Sequence, residues 1–300
     1  MPPTPSLDAH VIDGQLCKQT AIDCIVDSIS FGTRTNPGEQ LTRFSGMTSV
    51  ADHMFANRSS YLKTIDLSNN RITGIEKNAF DNLTQLEVLR LSKNRIASIP
   101  KELFRKLTAL KELDLSRNRL ESLEALVFHG LESLEILKLR KNELTNLFDG
   151  CFWGLNRIQS LHLDHNNLTA IRKGWLYGLS SLNQLILSHN DIQDIDGDGW
   201  EFSSRLWELD LSYNRIHSIT KDTLSRLHSL QYLTLHHNSI AFIDDSAFRL
   251  LTALEVLDVN HNQISWTIED SSGSFDGLQR LKTLGLAFNH IKAIPKRAFT

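Results

Sequence analysis

Ten asparagines hold one register along this chain. Asn70, Asn94, Asn118, Asn142, Asn166, Asn190, Asn214, Asn238 and Asn262 follow one another at steps of 24, and Asn289 comes after a step of 27. Each closes the same phrase, as in Leu110–Asn118, LKELDLSRN. Leu113, Asp114 and Leu115 alternate apolar and polar, which suits a short strand with one buried face. One such strand cannot bury that face alone, but a parallel stack of them can. An amide at the end of each phrase both donates and accepts, so it suits backbone groups that a bend leaves unpaired.

A second column keeps the same period. Phe80, Phe104, Phe128, Phe152, Leu176, Trp200, Leu224 and Phe248 are again 24 apart, followed by Phe275 and Phe299. The phrase L-x-x-L-x-L-x-x-N-x-L with a closing apolar turn is that of a leucine-rich repeat. The predicted fold is an α/β-type repeat solenoid, a horseshoe with a parallel β-sheet on the concave face. Irregular or 3-10 segments line the convex face, over a spine of large side chains. Repeats begin at Leu62, Leu86, Leu110, Leu134, Ile158, Leu182, Leu206, Leu230, Leu254 and Leu281, the tenth truncated at Thr300. Val50 and Phe55 match Ile75 and Phe80, so residues 47–61 read as a degenerate repeat. Residues 1–46, with Pro2, Pro3, Pro5 and Pro37, read as an irregular segment and possible partial cap. Within it Cys24–Val26 is a candidate strand and Cys17–Cys24 a candidate disulfide. A chain of 300 residues would otherwise suggest about two domains, but in an array each repeat contacts only its neighbours and the core grows as one. Solenoids need polar terminal units, so the array is expected to continue past Thr300.

A net charge of −3 gives no bulk attraction for nucleic acid or anionic membrane. The expected partner is a protein, with no nucleic acid and no membrane contact by this segment. No apolar run is long enough to span a bilayer, and Met1–Gln15 lacks the pattern of a signal peptide. There is no phosphate-binding glycine loop, nucleophile elbow or H-E-x-x-H. Asp66, Asp114 and Asp210 are two or more repeats apart, too far for a paired acid and base. The reading is therefore not an enzyme, with no cofactor and no metal. Cys151 takes the place of Ala79 and Ala247, a small buried side chain.

Polar positions between and after the strand leucines face the concave side, where repeat proteins usually bind. The candidate partner-binding residues there are Glu112, Ile136, Lys138, His162, Asp164, Gln184, Ile186, Glu208, Asp210, Tyr232, His236 and Asp258. Ile136, Ile186 and Tyr232 are apolar where solvent is expected, which marks an interface if they cluster and nothing if they are scattered. Six of the twelve histidines sit on or beside this face: His162, His165, His189, His236, His237 and His261. They read either as a metal or pH-sensitive site, or as residues tolerated before the register Asn, as Lys93, Arg117 and Tyr213 are. Asn57, Asn82 and Asn167 open N-x-S/T glycosylation triplets.

Repeat nine breaks the pattern. Its turn, Ile264-Ser265-Trp266-Thr267-Ile268-Glu269-Asp270-Ser271-Ser272-Gly273-Ser274-Phe275, resembles the S-G-T-I-E-D-T-S-G-A-F segment of the LRIG family, transmembrane proteins with leucine-rich repeats and immunoglobulin-like domains. Trp266 stands where that family has Gly. Cys151-Phe152-Trp153-Gly154-Leu155 is similar to the family's A-F-W-G-L, and Lys296-Arg297-Ala298-Phe299 to its K-R-A-F. Gly199-Trp200-Glu201-Phe202 resembles G-W-S-F, with Ser203 where the family has Cys. The resemblance covers Leu110 to Thr300 and is generic before that. It implies a single-pass cell-surface protein, extracellular here, that dampens growth-factor receptor tyrosine kinases, with immunoglobulin-like domains and a membrane span beyond this segment. The absent signal peptide and sparse N-terminal cysteines depart from that family. An adhesion or matrix-type protein with the same repeats is the alternative.

Overall fold

The computed structural model describes residues 11–12, 15–16, 40–42, 44–52, 54–55, 61–265 and 275–293. Among these residues the framework is one sheet of eleven parallel strands in chain order. They are Gln40–Thr42, Thr64–Asp66, Val88–Arg90, Glu112–Asp114, Ile136–Lys138, Ser160–His162, Gln184–Ile186, Glu208–Asp210, Tyr232–Thr234, Val256–Asp258 and Thr283–Gly285. Each strand pairs with the next in the register of the repeat, Leu113 opposite Leu137 and Leu137 opposite Leu161. Among the described residues the sheet's first strand is Gln40–Thr42, where Gln40 pairs with Thr64, so the parallel array reaches back past the boundary expected between residues 46 and 47. Short second pairs, such as Ser122–Leu123 with Asn146–Leu147, form a further layer.

The alternation in each phrase explains the strands. Leu113 is fully buried, while Glu112 and Asp114 on either side are half-buried. Leu110, Leu115, Leu120, Leu123 and Leu131 fill the interior of the same turn. Burying one such side chain stabilises by about 1.5–3 kcal/mol, and it does so only when the next repeat covers it.

The asparagines bind neighbouring turns together. The Asn118 amide donates to Leu115 O at 2.9 Å and to Leu91 O, one repeat back, at 3.0 Å. Its Oδ1 accepts from the Ile96 N–H at 3.0 Å. The residue before each register Asn, from Asn69 to Phe288, has φ between 52° and 61°. Left-handed backbone is uncommon for such side chains and persists where the surroundings enforce it; here the inward-turned Asn does so. Asn289 repeats the network, accepting from Ile264 N–H at 3.1 Å and donating to Val259 O at 3.0 Å. The three extra residues of repeat nine therefore leave the sheet register intact, with Val256 opposite Thr283.

The spine is present on the convex side. Phe55, Phe80, Phe104, Phe128 and Phe152 stack in sequence with ring centroids 6.0–6.5 Å apart, and Phe248 stacks on Phe275 at 6.0 Å. Trp200 fills the column between them, its Nε1–H donating to Thr223 O at 2.8 Å. The convex turns run on i→i+3 bonds such as Leu83 N–H to Phe80 O at 3.0 Å, with a 3-10 helix at Gly197–Trp200. Cys151 is a free, fully buried thiol, and burial pushes its pKa well up. The candidate strand Cys24–Val26, Cys17, Asn57, the Trp266–Gly273 turn and Phe299 lie outside the described residues. No helix among the described residues is long and apolar enough to cross a membrane.

Candidate functional site

In each three-residue strand the two positions on either side of the buried central residue point away from the core, onto one face of the sheet. Glu112, Ile136, Lys138, His162, Gln184, Ile186, Glu208, Asp210, Tyr232 and Asp258 flank the buried central residues of their strands. Asp164 and His236 stand two residues past their strands, and Asp164 is buried rather than open to solvent.

Charges on this face are paired across repeats. Glu112 accepts from Lys138 Nζ at 2.8 Å and lies 3.7 Å from Arg90. Asp164 is held by Arg140 Nε at 3.1 Å. Glu208 accepts from the Gln184 amide at 2.8 Å, and Gln184 Oε1 accepts from Ser160 Oγ at 2.6 Å. Ser160 has one hydroxyl proton and uses it on Gln184. Its oxygen therefore accepts from Nε2–H of His162, 2.9 Å away, which assigns that tautomer from the network. Burial holds His162 below the ordinary imidazole value.

Four aspartates of one column have a structural duty. Asp66, Asp114, Asp210 and Asp258 each accept, at 2.9 Å, the N–H two residues on. That is the local turn bond Asp makes readily, and it directs one oxygen of Asp210 and Asp258 into the backbone.

Ile136, Ile186 and Tyr232 do not form one patch. Ile136 lies between Glu112 and Ser160, Ile186 between His162 and Asp210, and Tyr232 between Glu208 and Val256. The aromatic contact that does form is Trp207 edge-on to Tyr232 at 5.6 Å, both exposed. Trp207 precedes its strand, in the column of Lys63 and Glu87, and reading that column as well would have found it.

The histidines sit differently from a ligand set. His165, His189, Tyr213, His237, His261 and Phe288 stack face to face in unbroken succession, with centroids 4.1–4.3 Å apart. This ladder runs along the rim where the backbone bends out of each strand. His236 stands beside it, edge-on to Tyr213 at 5.2 Å. Burial, then the neighbouring His189, lowers the pKa of His165; burial, then His261, lowers that of His237. Among the described residues no group of three or more His, Cys, Asp or Glu side chains converges as a set of metal ligands. Asn82 and Asn167 are exposed, Asn82 in a convex turn and Asn167 two residues from the ladder at His165.

Comparison with known proteins agrees with this architecture. The family described as leucine rich repeat matches residues 43–96, 84–144, 108–168, 156–216 and 204–264. A search of the curated proteins returns no match. Among solved structures, the Drosophila Toll–Spatzle complex in glycosylated form is similar at a TM-score of 0.79 with 26% identity, over 87% of this chain and 36% of that one. The TLR13 complex with single-stranded RNA is similar at 0.76 with 28% identity, over 81% of this chain and 35% of that one. The plant peptide hormone receptor RGFR1 in complex with RGF2 shares the fold, with 22% identity and a TM-score of 0.66, over 85% and 40%. The chain thus spans about a third of the length of the first two. The matched segments overlap without a gap across more than half of the sequence, and this chain belongs to the leucine-rich repeat family.

Proposed function

We propose that this chain is the recognition segment of a cell-surface protein and binds a protein partner through the concave sheet face. Supporting this reading is the freedom of that face. The core is built from the buried columns, and Glu112, Lys138, His162, Gln184, Ile186, Glu208 and Tyr232 flank it on the open side of the sheet. The exposed Trp207–Tyr232 pair adds the aromatic anchor typical of protein interfaces. The likeness to Toll, solved with Spatzle, is in keeping with it.

The finer reading comes from the resemblance to the LRIG family. The partner is then the ectodomain of a growth-factor receptor tyrosine kinase, the effect is to dampen its signalling, and the segment lies on the extracellular side. The test is surface plasmon resonance of the chain against a panel of such ectodomains, with the variants Trp207→Ala/Tyr232→Ala and Glu112→Ala/Glu208→Ala. Saturable binding to a panel member, weakened at least tenfold by the aromatic pair, is expected. Binding that both double variants leave unchanged refutes the concave face. No binding across the panel refutes the receptor reading.

A further inference from the structure

The rim carries a second feature that the concave-face reading does not use. In the position before the register Asn, the repeats preceding the aromatic ladder present Lys93, Arg117 and Lys141. In the position after it they present Arg71, Arg95 and Arg119, making six cations, and then the acidic Glu143 beside Asn142. All but Lys141 are exposed, and Lys141 is half-buried. None of the six forms an ion pair among the described residues.

On the sheet side, opposite charges alternate between adjacent repeats. Lys63, Glu87 and Lys111 alternate in one column, with bridges of 3.7 and 2.6 Å. Arg90, Asp114 and Lys138 alternate in another, and Arg90 and Lys138 both pair with Glu112 of the neighbouring column. Adjacent strands lie about 4.8 Å apart, so unpaired cations in successive repeats repel one another. Alternation on the sheet and its absence on the rim point to an outside anion.

The ladder continues this track in the same column. Stacking consumes the ring faces from His165 to Phe288, leaving their edges outward; Tyr213 is 40% exposed and Phe288 73%. Ring edges carry the positive end of the quadrupole, so the aromatic half offers apolar area with the same sign of potential as the cationic half. Nucleobases need free ring faces on which to stack, and sugars pack on such faces too. Neither finds a platform here except at the ends of the ladder.

We propose that the rim from Lys93 to Phe288 is a docking track for an extended acidic–apolar polypeptide segment of a protein partner. Its acidic half would lie on Lys93, Arg117 and Lys141, and its apolar half on the ring edges. Eight repeat steps at about 4.8 Å make a track of about 40 Å, the length of roughly twelve extended residues. This surface is separate from the concave face, so either reading can fail without the other.

The test uses fluorescein-labelled twelve-residue peptides with Glu and Asp in one half and Leu and Phe in the other, in both chain directions. Fluorescence anisotropy is read against the whole chain, with a heparin dodecasaccharide and a twelve-nucleotide single-stranded RNA as competing probes. The variant Lys93→Asn/Arg117→Asn/Lys141→Asn adopts the residue that Asn69 shows is compatible with this backbone, and Tyr213→Asn/Phe288→Asn tests the other half. The proposal expects saturable binding of one peptide direction, weakened at least tenfold by each variant and unchanged by Trp153→Ala on the convex side. Failure of both peptides to bind overturns it, as does peptide binding that either variant leaves intact. RNA or heparin binding tighter than the peptides' also overturns it, by assigning the track to another polyanion. Circular dichroism of the variants confirms that lost binding is not lost folding.

Discussion

Replacing Asn118 by alanine should remove much more stability than its small side chain suggests. Three strong bonds disappear: Ile96 N–H to Oδ1, and Nδ2 to Leu91 O and Leu115 O. The carbonyls are the lesser loss, because each keeps a second register amide. Leu91 O still accepts from Asn94 at 2.9 Å and Leu115 O from Asn142 at 3.1 Å. The Ile96 N–H is left buried with its acceptor gone, a penalty of about 1–3 kcal/mol. Two lost bonds at about 0.5–1 kcal/mol each bring the total near 3 kcal/mol. With a urea slope of about 2 kcal/mol/M, the midpoint should fall by about 1.5 M. The assay is urea unfolding followed by circular dichroism and tryptophan fluorescence. Asn289→Ala, at a partly exposed site, should cost less than half as much. A loss below about 1 kcal/mol for Asn118→Ala, or equal losses at the two sites, would refute the claim that these amides tie the repeats together.

Three further outcomes follow from particular side chains. Ser203 is fully buried and its Oγ has no hydrogen-bond partner, so Ser203→Ala or Ser203→Cys should stabilise by about 1 kcal/mol; a lower urea midpoint would contradict this. His162, His165 and His237 have pKa values lowered in the fold from the ordinary 6.5, chiefly by burial, so the unfolded chain binds more protons near that pH. Their contribution to stability is complete above about 6.5 and declines as pH falls through it toward the lowered folded values. The urea midpoint should therefore drop from pH 7.5 to 5.5, and His162→Gln/His165→Asn/His237→Gln should flatten the slope. A slope unchanged by the triple variant would exclude these imidazoles. Expressed behind a secretion signal in mammalian cells, the chain should carry glycan at Asn82 and Asn167, both exposed, read as mass lost on glycosidase treatment; an unmodified product would contradict an extracellular location.

The scaffold was legible because scaffold residues repeat. One Asn column and one Phe column recur at a fixed period, and the bonds and stacks they make recur with them. The rim ladder was half legible. His165 with His189, and His237 with His261, stand out as adjacent histidines, but a search for histidine passes over Tyr213 and Phe288, which make the stack continuous. What joins these residues is a shared left-handed backbone angle that holds their rings parallel, and residue identity alone does not announce it. The aspartates show the converse. Asp210 and Asp258 read as free concave groups, yet each turns an oxygen back onto the N–H two residues on. Ile136, Ile186 and Tyr232 share an apolar character without sharing neighbours, because strand spacing keeps alternate repeats apart. Trp207 escaped notice because it comes one position before the columns taken to be exposed.

The central claim is that recognition happens on the concave sheet face, and hydroxyl-radical footprinting of the chain bound to a receptor ectodomain tests it most directly. Trp207, Tyr232 and His236 should lose reactivity on binding, while the exposed convex residues Phe148 and Trp153 keep theirs. Protection of Phe148 and Trp153 with Trp207 and Tyr232 unchanged would contradict the claim.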